Sequence, residues 1–231
     1  MNEASGSSPL RTRRGLIVES AATVVAVLVI IHVLYATRGN SFIGPKISYI
    51  VAYLLMGAPL LVLWRRRRPL DFFVLDAKDL MRALKEFALV SLVIFPPFLI
   101  AAHGWQILVE GYSGFSPVGF PRFANMMLVQ LILVALPEEF FFRGYLQSAM
   151  NGIFPKKWRF LGAQFGWGLI VTALVFAFAH TIVTYQWWHF AIFFPALVFG
   201  WMRERTGNIL APTLFHAASN LIMDWFVRCY V

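Results

Sequence analysis

Residues Leu131–Leu146 read LILVALPEEFFFRGYL, and this stretch decides the fold. It is apolar enough to sit in a bilayer, yet Glu138, Glu139 and Arg143 occupy its middle. An ionisable side chain at the centre of a membrane helix costs about 2.5–3.5 kcal/mol on insertion scales, so such residues are rare without a role. Adjacent carboxylates also repel each other, and a buried glutamate favours its neutral form. Composition sets the class: of 231 residues 59% are hydrophobic and 13% charged, where a soluble domain carries about 25% charged residues. Mean hydropathy is +0.69. The fold class is therefore all-α, a polytopic transmembrane helical bundle, in which the quoted segment needs polar partners from other helices.

Working outward, apolar runs fall at 16–36, 48–64, 86–103, 124–146, 167–184, 188–202 and 207–228, which predicts about seven spans, with eight as the alternative. The sixth is short for a bilayer. A cytoplasmic N-terminus places Arg11, Arg13, Arg14, Arg65–Arg68, Lys78, Arg82, Lys85, Lys156, Lys157, Arg159, Arg203 and Arg205 on one side. The other side then holds Arg38, Lys46, Arg122 and Arg228, so the positive-inside rule supports that orientation. The run from Leu16 to Ala36 exceeds the 7–15 residues of a signal-peptide core, and no small-residue cleavage site follows it. It reads as a retained first helix, leaving 1–14 as a cytoplasmic tail and 15–231 as a single transmembrane domain. The formal charge of +9 sits in clusters between apolar runs, which suits anionic lipids and topology signals and not nucleic acid. A bacterial or archaeal inner membrane is the expected location. The single Cys229 excludes an internal disulfide and a cysteine metal cluster.

Three connectors carry expectations. Leu70–Glu86 mixes Phe72, Phe73, Leu75, Leu80 and Leu84 with charges, and reads equally as an interfacial amphipathic helix or a solvated connector. Gly104–Phe123, rich in glycine, proline and aromatics, reads as an irregular outer loop covering a cavity. Gly162 and Gly166, at the start of the fifth run, give a weak helix-association spacing.

Later runs supply polar partners. The fifth contains Phe176 and His180, and the seventh His216 and Asn220, four apart and so on one helical face. Glu139 and Arg143 form an i,i+4 pair in the favourable order, whereas Glu138 points about 100° away around the helix. Glu139 is then the ionised anchor, and Glu138 the carboxylate left to exchange a proton. Pro137 takes one donor from the helix, which predicts a kink admitting water beside the carboxylates. His189 fits an aromatic belt beside Trp187 and Trp188; His32, His103 and Glu19 fall outside these groupings, and Asp224 reads as snorkelling or loosely paired.

Glu138-Glu139-x-x-x-Arg143, Phe176-x-x-x-His180 and His216-x-x-x-Asn220 resemble, in order, the three motifs of the CPBP intramembrane proteases, among them the CaaX prenyl proteases and the bacteriocin-processing or immunity Abi proteins. The resemblance covers about residues 124–228, which makes that part the expected catalytic core. The family is usually described with eight helices, one more than the seven counted here. It implies an intramembrane endopeptidase that cuts a membrane-associated tail, whether a C-terminal sorting, lipidated or leader segment. Glu138 would be the general base and His180 would position or deprotonate the water. His216 and Asn220 would donate to the oxyanion, Glu139 and Arg143 would support, and Phe176 would shape the pocket wall. No cofactor is favoured; zinc, held by Glu138, His180 and His216, is the alternative, although no His-Glu-x-x-His pairing is present. The competing functions are a non-catalytic membrane scaffold or immunity factor, and a proton or ion carrier.

Overall fold

The computed structural model describes residues 9–73, 75–120 and 122–231; of the tail expected at 1–14, residues 1–8 lie outside the described residues. Seven helices follow the seven apolar runs: α1 Pro9–Ala36, α2 Ile47–Arg65, α3 Ala77–Leu108, α4 Phe123–Ile153, α5 Trp167–Thr184, α6 Phe193–Thr206 and α7 Leu210–Arg228. Four of them, α1 to α4, are long and apolar enough to cross a membrane. The remaining three, also expected as spans, fall outside that set by length or composition. Helix α5 keeps its expected bounds with 18 residues, and the 14 residues of α6 extend only about 21 Å at 1.5 Å per residue, short of a hydrocarbon core of about 30 Å. Helix α7 has 19 residues but carries His216, Asn220, Asp224 and Arg228.

The hub is α4, which packs against α1, α2, α5, α6 and α7. Every residue from Phe140 to Leu146 is buried. In place of a single kink at Pro137, the helix widens on both sides of it. Gln130–Ala135 and Phe140–Leu146 are π-helical, with Leu136 donating its N–H to the carbonyl of Leu131 and Gln147 to that of Phe142, each five residues back. Pro137 lies in the first turn of the short α segment Leu136–Glu139 between them, where its missing N–H is accommodated by the changed register. Such wide turns rotate the side chains that follow, and here they flank the two glutamates.

The connectors correct three expectations. Among the described residues of Leu70–Glu86 no separate interfacial helix forms: Asp76 caps α3 by accepting the N–H of Asp79 at 2.7 Å, so Ala77 to Glu86 are the first turns of one 32-residue helix. Gly104 lies inside α3, which runs on to Leu108. The loop beyond it is tied to the C-terminus by Ser113 N–H to Val231 O at 2.9 Å and Ser116 N–H to Cys229 O at 2.7 Å. Gly162 does not serve helix association. With Leu161 (φ 45°) and Gly162 (φ 83°) both in the left-handed region, these residues turn a small hairpin between β1 Trp158–Phe160 and β2 Ala163–Phe165. Gly166 is the cap position before α5, where a Cβ would lie 2.5 Å from the carbonyl oxygen of Pro155.

Several residues set aside in the sequence find partners. Glu19 pairs with Arg66 and with Arg68 at 3.1 Å. His103 Nδ1 lies 2.6 Å from the Tyr230 hydroxyl, and His32 Nε2 lies 3.0 Å from that of Tyr185. Asp224 pairs with Arg228 at 3.0 Å, and Cys229 is a buried free thiol.

Candidate active site

Three helices meet at the glutamates. Glu139 is fully buried, and its Oε1 accepts from Arg143 Nη1 at 2.8 Å and from His216 Nδ1 at 2.9 Å. Arg143 is buried as well; it lies over the rings of Phe176 (4.2 Å) and Phe199 (4.9 Å) and reaches the carbonyl of Ala196 at 3.3 Å. A carboxylate, a carbonyl and two aromatic faces thus take the place of water around its Nη atoms and planar face, while Nε has no hydrogen-bond partner among the described residues. Desolvation of such a pair offsets much of its Coulomb attraction, so the gain over an apolar pair is small, while the loss on removing one partner is large.

Adjacent Glu138 faces elsewhere. Its side chain keeps 18% exposure, and Oε2 lies 3.7 Å from His180 Nε2 and 3.8 Å from His216 Nε2. Both separations exceed a direct hydrogen bond. Oε2 has no hydrogen-bond partner among the described residues. Glu138, Phe142 and His180 line a cavity of about 130 Å³ whose other walls include Leu28, Ile31 and Tyr35 of α1 and Val51 and Leu55 of α2. The N-terminal half, which in sequence offered only generic membrane helices, therefore shapes this cavity.

The hydrogen bonds assign the imidazole protons. His180 Nδ1 lies 2.9 Å from the Phe176 carbonyl, which can only accept, so Nδ1 carries hydrogen and a neutral ring turns its Nε2 lone pair towards Glu138. His216 Nδ1 likewise donates to Glu139, so both rings present Nε2 to the same carboxylate oxygen. Aromatic packing fixes the rings: Phe176 lies 4.5 Å from His180 by centroid, and Phe199 stacks on His216 at 4.8 Å and 17°. Asn220 is placed differently. Its amide donates to Gln130 Oε1 at 3.0 Å, joining α7 to the first wide turn of α4.

Phe199 and Gln130 were missed in the sequence. Nothing marks Phe199 among the many aromatics of the apolar runs, but Gln130 is a polar residue inside such a run and was a usable signal. A second missed signal is a ladder of polar residues four apart, Glu139, Arg143, Gln147 and Asn151. Its lower rungs bind the buried Glu204 of α6: Gln147 Nε2 and Asn151 Nδ2 lie 2.6 and 2.7 Å from Oε1. Lys156 pairs with Oε2 at 2.5 Å. This network ties the far end of α4 to α6.

The donor set does not fit zinc. Among the described residues no three His, Cys, Asp or Glu side chains are grouped to hold a metal ion. The 3.7 and 3.8 Å separations also exceed the edge of about 3.3–3.5 Å set by tetrahedral bonds of about 2.0–2.1 Å.

Residues 120–222 match the family model described as Type II CAAX prenyl endopeptidase Rce1-like, a range that contains Glu138, Glu139, Arg143, Phe176, His180, His216 and Asn220. No curated protein and no solved structure matches the chain.

Proposed function

From the premise that this helical chain carries an Rce1-like (CPBP) type II CAAX prenyl endopeptidase family domain, we propose that it is an intramembrane endopeptidase acting on a membrane-tethered peptide tail. The observation that carries this reading is Glu138 itself: its side chain lines a cavity, and its buried Oε2, without a hydrogen-bond partner among the described residues, lies near two imidazole nitrogens. A water beside that oxygen can give one proton to Glu138 while an imidazole nitrogen holds its orientation. The hydroxide attacks the peptide carbonyl carbon. As the C–N bond breaks, the leaving amine takes the proton back from Glu138.

The oxyanion then needs donors. His216 gives its Nδ1 hydrogen to Glu139, so it can donate from Nε2 only as an imidazolium. Asn220 has a second amide hydrogen beyond the one held by Gln130 and is the other candidate donor. Glu139 and Arg143 act through His216 and are positioning residues. Phe176 orients His180 through its carbonyl and ring.

Substrates follow from the family description: a peptide carrying a prenylated C-terminal motif is the first to test, and sorting or leader segments are the second. The decisive experiment compares membrane proteomes of cells carrying the wild-type chain and Glu138→Gln. Uncut tails should accumulate in the variant. Identical termini in both, together with undiminished turnover by purified Glu138→Gln, would overturn the reading and favour a non-catalytic scaffold. The zinc-dependent alternative predicts loss of turnover on chelation and recovery with added zinc, and the metal-free route predicts no change.

A further inference from the structure

On a side of the bundle that shares no lining residue with the Glu138 cavity, α3, α5, α6 and the hairpin enclose a crevice of about 490 Å³. Leu89, Val93, Leu169, Ile170, Leu197 and Trp201 make its walls apolar. At one end it meets a second hollow of about 700 Å³ lined by Lys78, Arg82, Lys85 and Arg205, and Glu86, Leu89 and Arg205 border both. Lys78, Arg82, Lys85, Leu89 and Val93 follow at intervals of three and four, so a single stripe of α3 changes from basic to apolar along its length.

The junction is built from the hairpin turn. Arg205 Nε donates to the buried Glu86 at 2.8 Å, and Nη1 donates to the Leu161 carbonyl. Trp201 Nε1 donates to the Phe160 carbonyl at 3.0 Å. A Cβ on Gly162 would stand 3.2 Å from the Arg205 guanidinium, on a backbone at φ 83°, so glycine permits this close approach. Glu86 neutralises one cation, and Lys78, Arg82 and Lys85 remain as an exposed positive rim. The rim lies at the end of α3 where the connectors collect their positive charge, the side the charge distribution identifies as cytoplasmic.

We propose that these two hollows form a site for one anionic glycerophospholipid, its phosphate at Lys78, Arg82 and Lys85 and an acyl chain in the crevice. The charge supplies the selection: a zwitterionic lipid brings no net charge to the rim, while an anionic headgroup gains about 1 kcal/mol from each nearby Lys or Arg. The apolar walls supply the length recognition that a free phosphate lacks. The proposal is independent of the hydrolytic reading, since no group placed at the glutamates takes part.

The test uses the full chain purified in neutral detergent, with dioleoyl phosphatidylglycerol or dioleoyl phosphatidylcholine titrated in and bound lipid counted by native mass spectrometry. Phosphatidylglycerol should be retained as a one-to-one adduct and phosphatidylcholine should not. K78Q/R82Q/K85Q should weaken retention about 10- to 100-fold. Because Arg82 also donates to the Thr206 carbonyl, K78Q/K85Q serves as the milder variant and should weaken it several-fold. Val93→Trp, which fills the crevice from an exposed position, should reduce retention with the rim intact. Free glycerol phosphate at equal concentration should not displace the lipid. Equal retention of the two lipids, unchanged retention in K78Q/K85Q, or mole-for-mole displacement by glycerol phosphate would each overturn the site.

Discussion

Glu138 and Glu139 are neighbours in the chain and share one helix, yet their surroundings differ. Glu139 Oε1 is held by Arg143 and His216 with no exposure, while Glu138 borders a cavity and has two imidazole nitrogens 3.7 and 3.8 Å from its Oε2; the Oε2 of each glutamate lacks a hydrogen-bond partner among the described residues. The difference comes from the rotation of about 100° between successive helical residues, which sends one carboxylate into the α6–α7 contact and the other towards α1, α2 and α5. A membrane protein can thus place a fully buried, ion-paired carboxylate and one that borders a cavity side by side. The ion-paired one holds a histidine in place. The other stays chemically available.

That contrast can be broken at five places, in decreasing order of effect. Glu138→Gln should lower turnover by about 10⁴-fold, the upper range for losing a general base, while the thermal midpoint in detergent barely moves; a large drop in that midpoint would make Glu138 structural. Arg143→Met leaves Glu139 a buried carboxylate with His216 as its remaining partner. It should cost about 3–5 kcal/mol of stability, measured by unfolding in detergent, and E139Q/R143M should recover much of it. Asn220→Ala should reduce kcat by about 10²–10³-fold if its amide meets the oxyanion, with KM nearly unchanged. Gly144→Ala adds a Cβ 2.3 Å from the Phe72 ring; such overpacking should cost about 1–3 kcal/mol, and combining it with Phe72→Ala should restore part of the loss. Gln130→Ala removes the partner of Asn220 and should cost about 0.6 kcal/mol, leaving kcat close to wild type. A fall in kcat as large as that of Asn220→Ala would mean that Gln130 positions the amide.

Legibility followed the range of the signal. Glu139 and Arg143 are four residues apart on one helix, and helical geometry alone brings them together. His216 lies 77 positions from Glu139, so its bond to that carboxylate depends on how α4 and α7 cross. The sequence treated His216 and Asn220 as one pair on a helical face, but their polar atoms bond different partners, Glu139 for one and Gln130 for the other. Phe199 was invisible because a stacking phenylalanine has the same hydropathy as one that faces lipid. The hairpin was missed for another reason: WRFLGAQF is short, and its turn declares itself only through the positive φ of Leu161 and Gly162.

By itself the sequence determined the helical membrane class, the seven apolar segments and the polar intruders in LILVALPEEFFFRGYL, because bilayer length and the cost of burying charge act locally. Tertiary structure alone decided that wide turns flank Pro137 and that α1 and α2 wall the cavity at Glu138. It also decided which nitrogen of each imidazole faces that glutamate. These follow from how helices distant in the chain pack together, and no pattern confined to one segment encodes that packing.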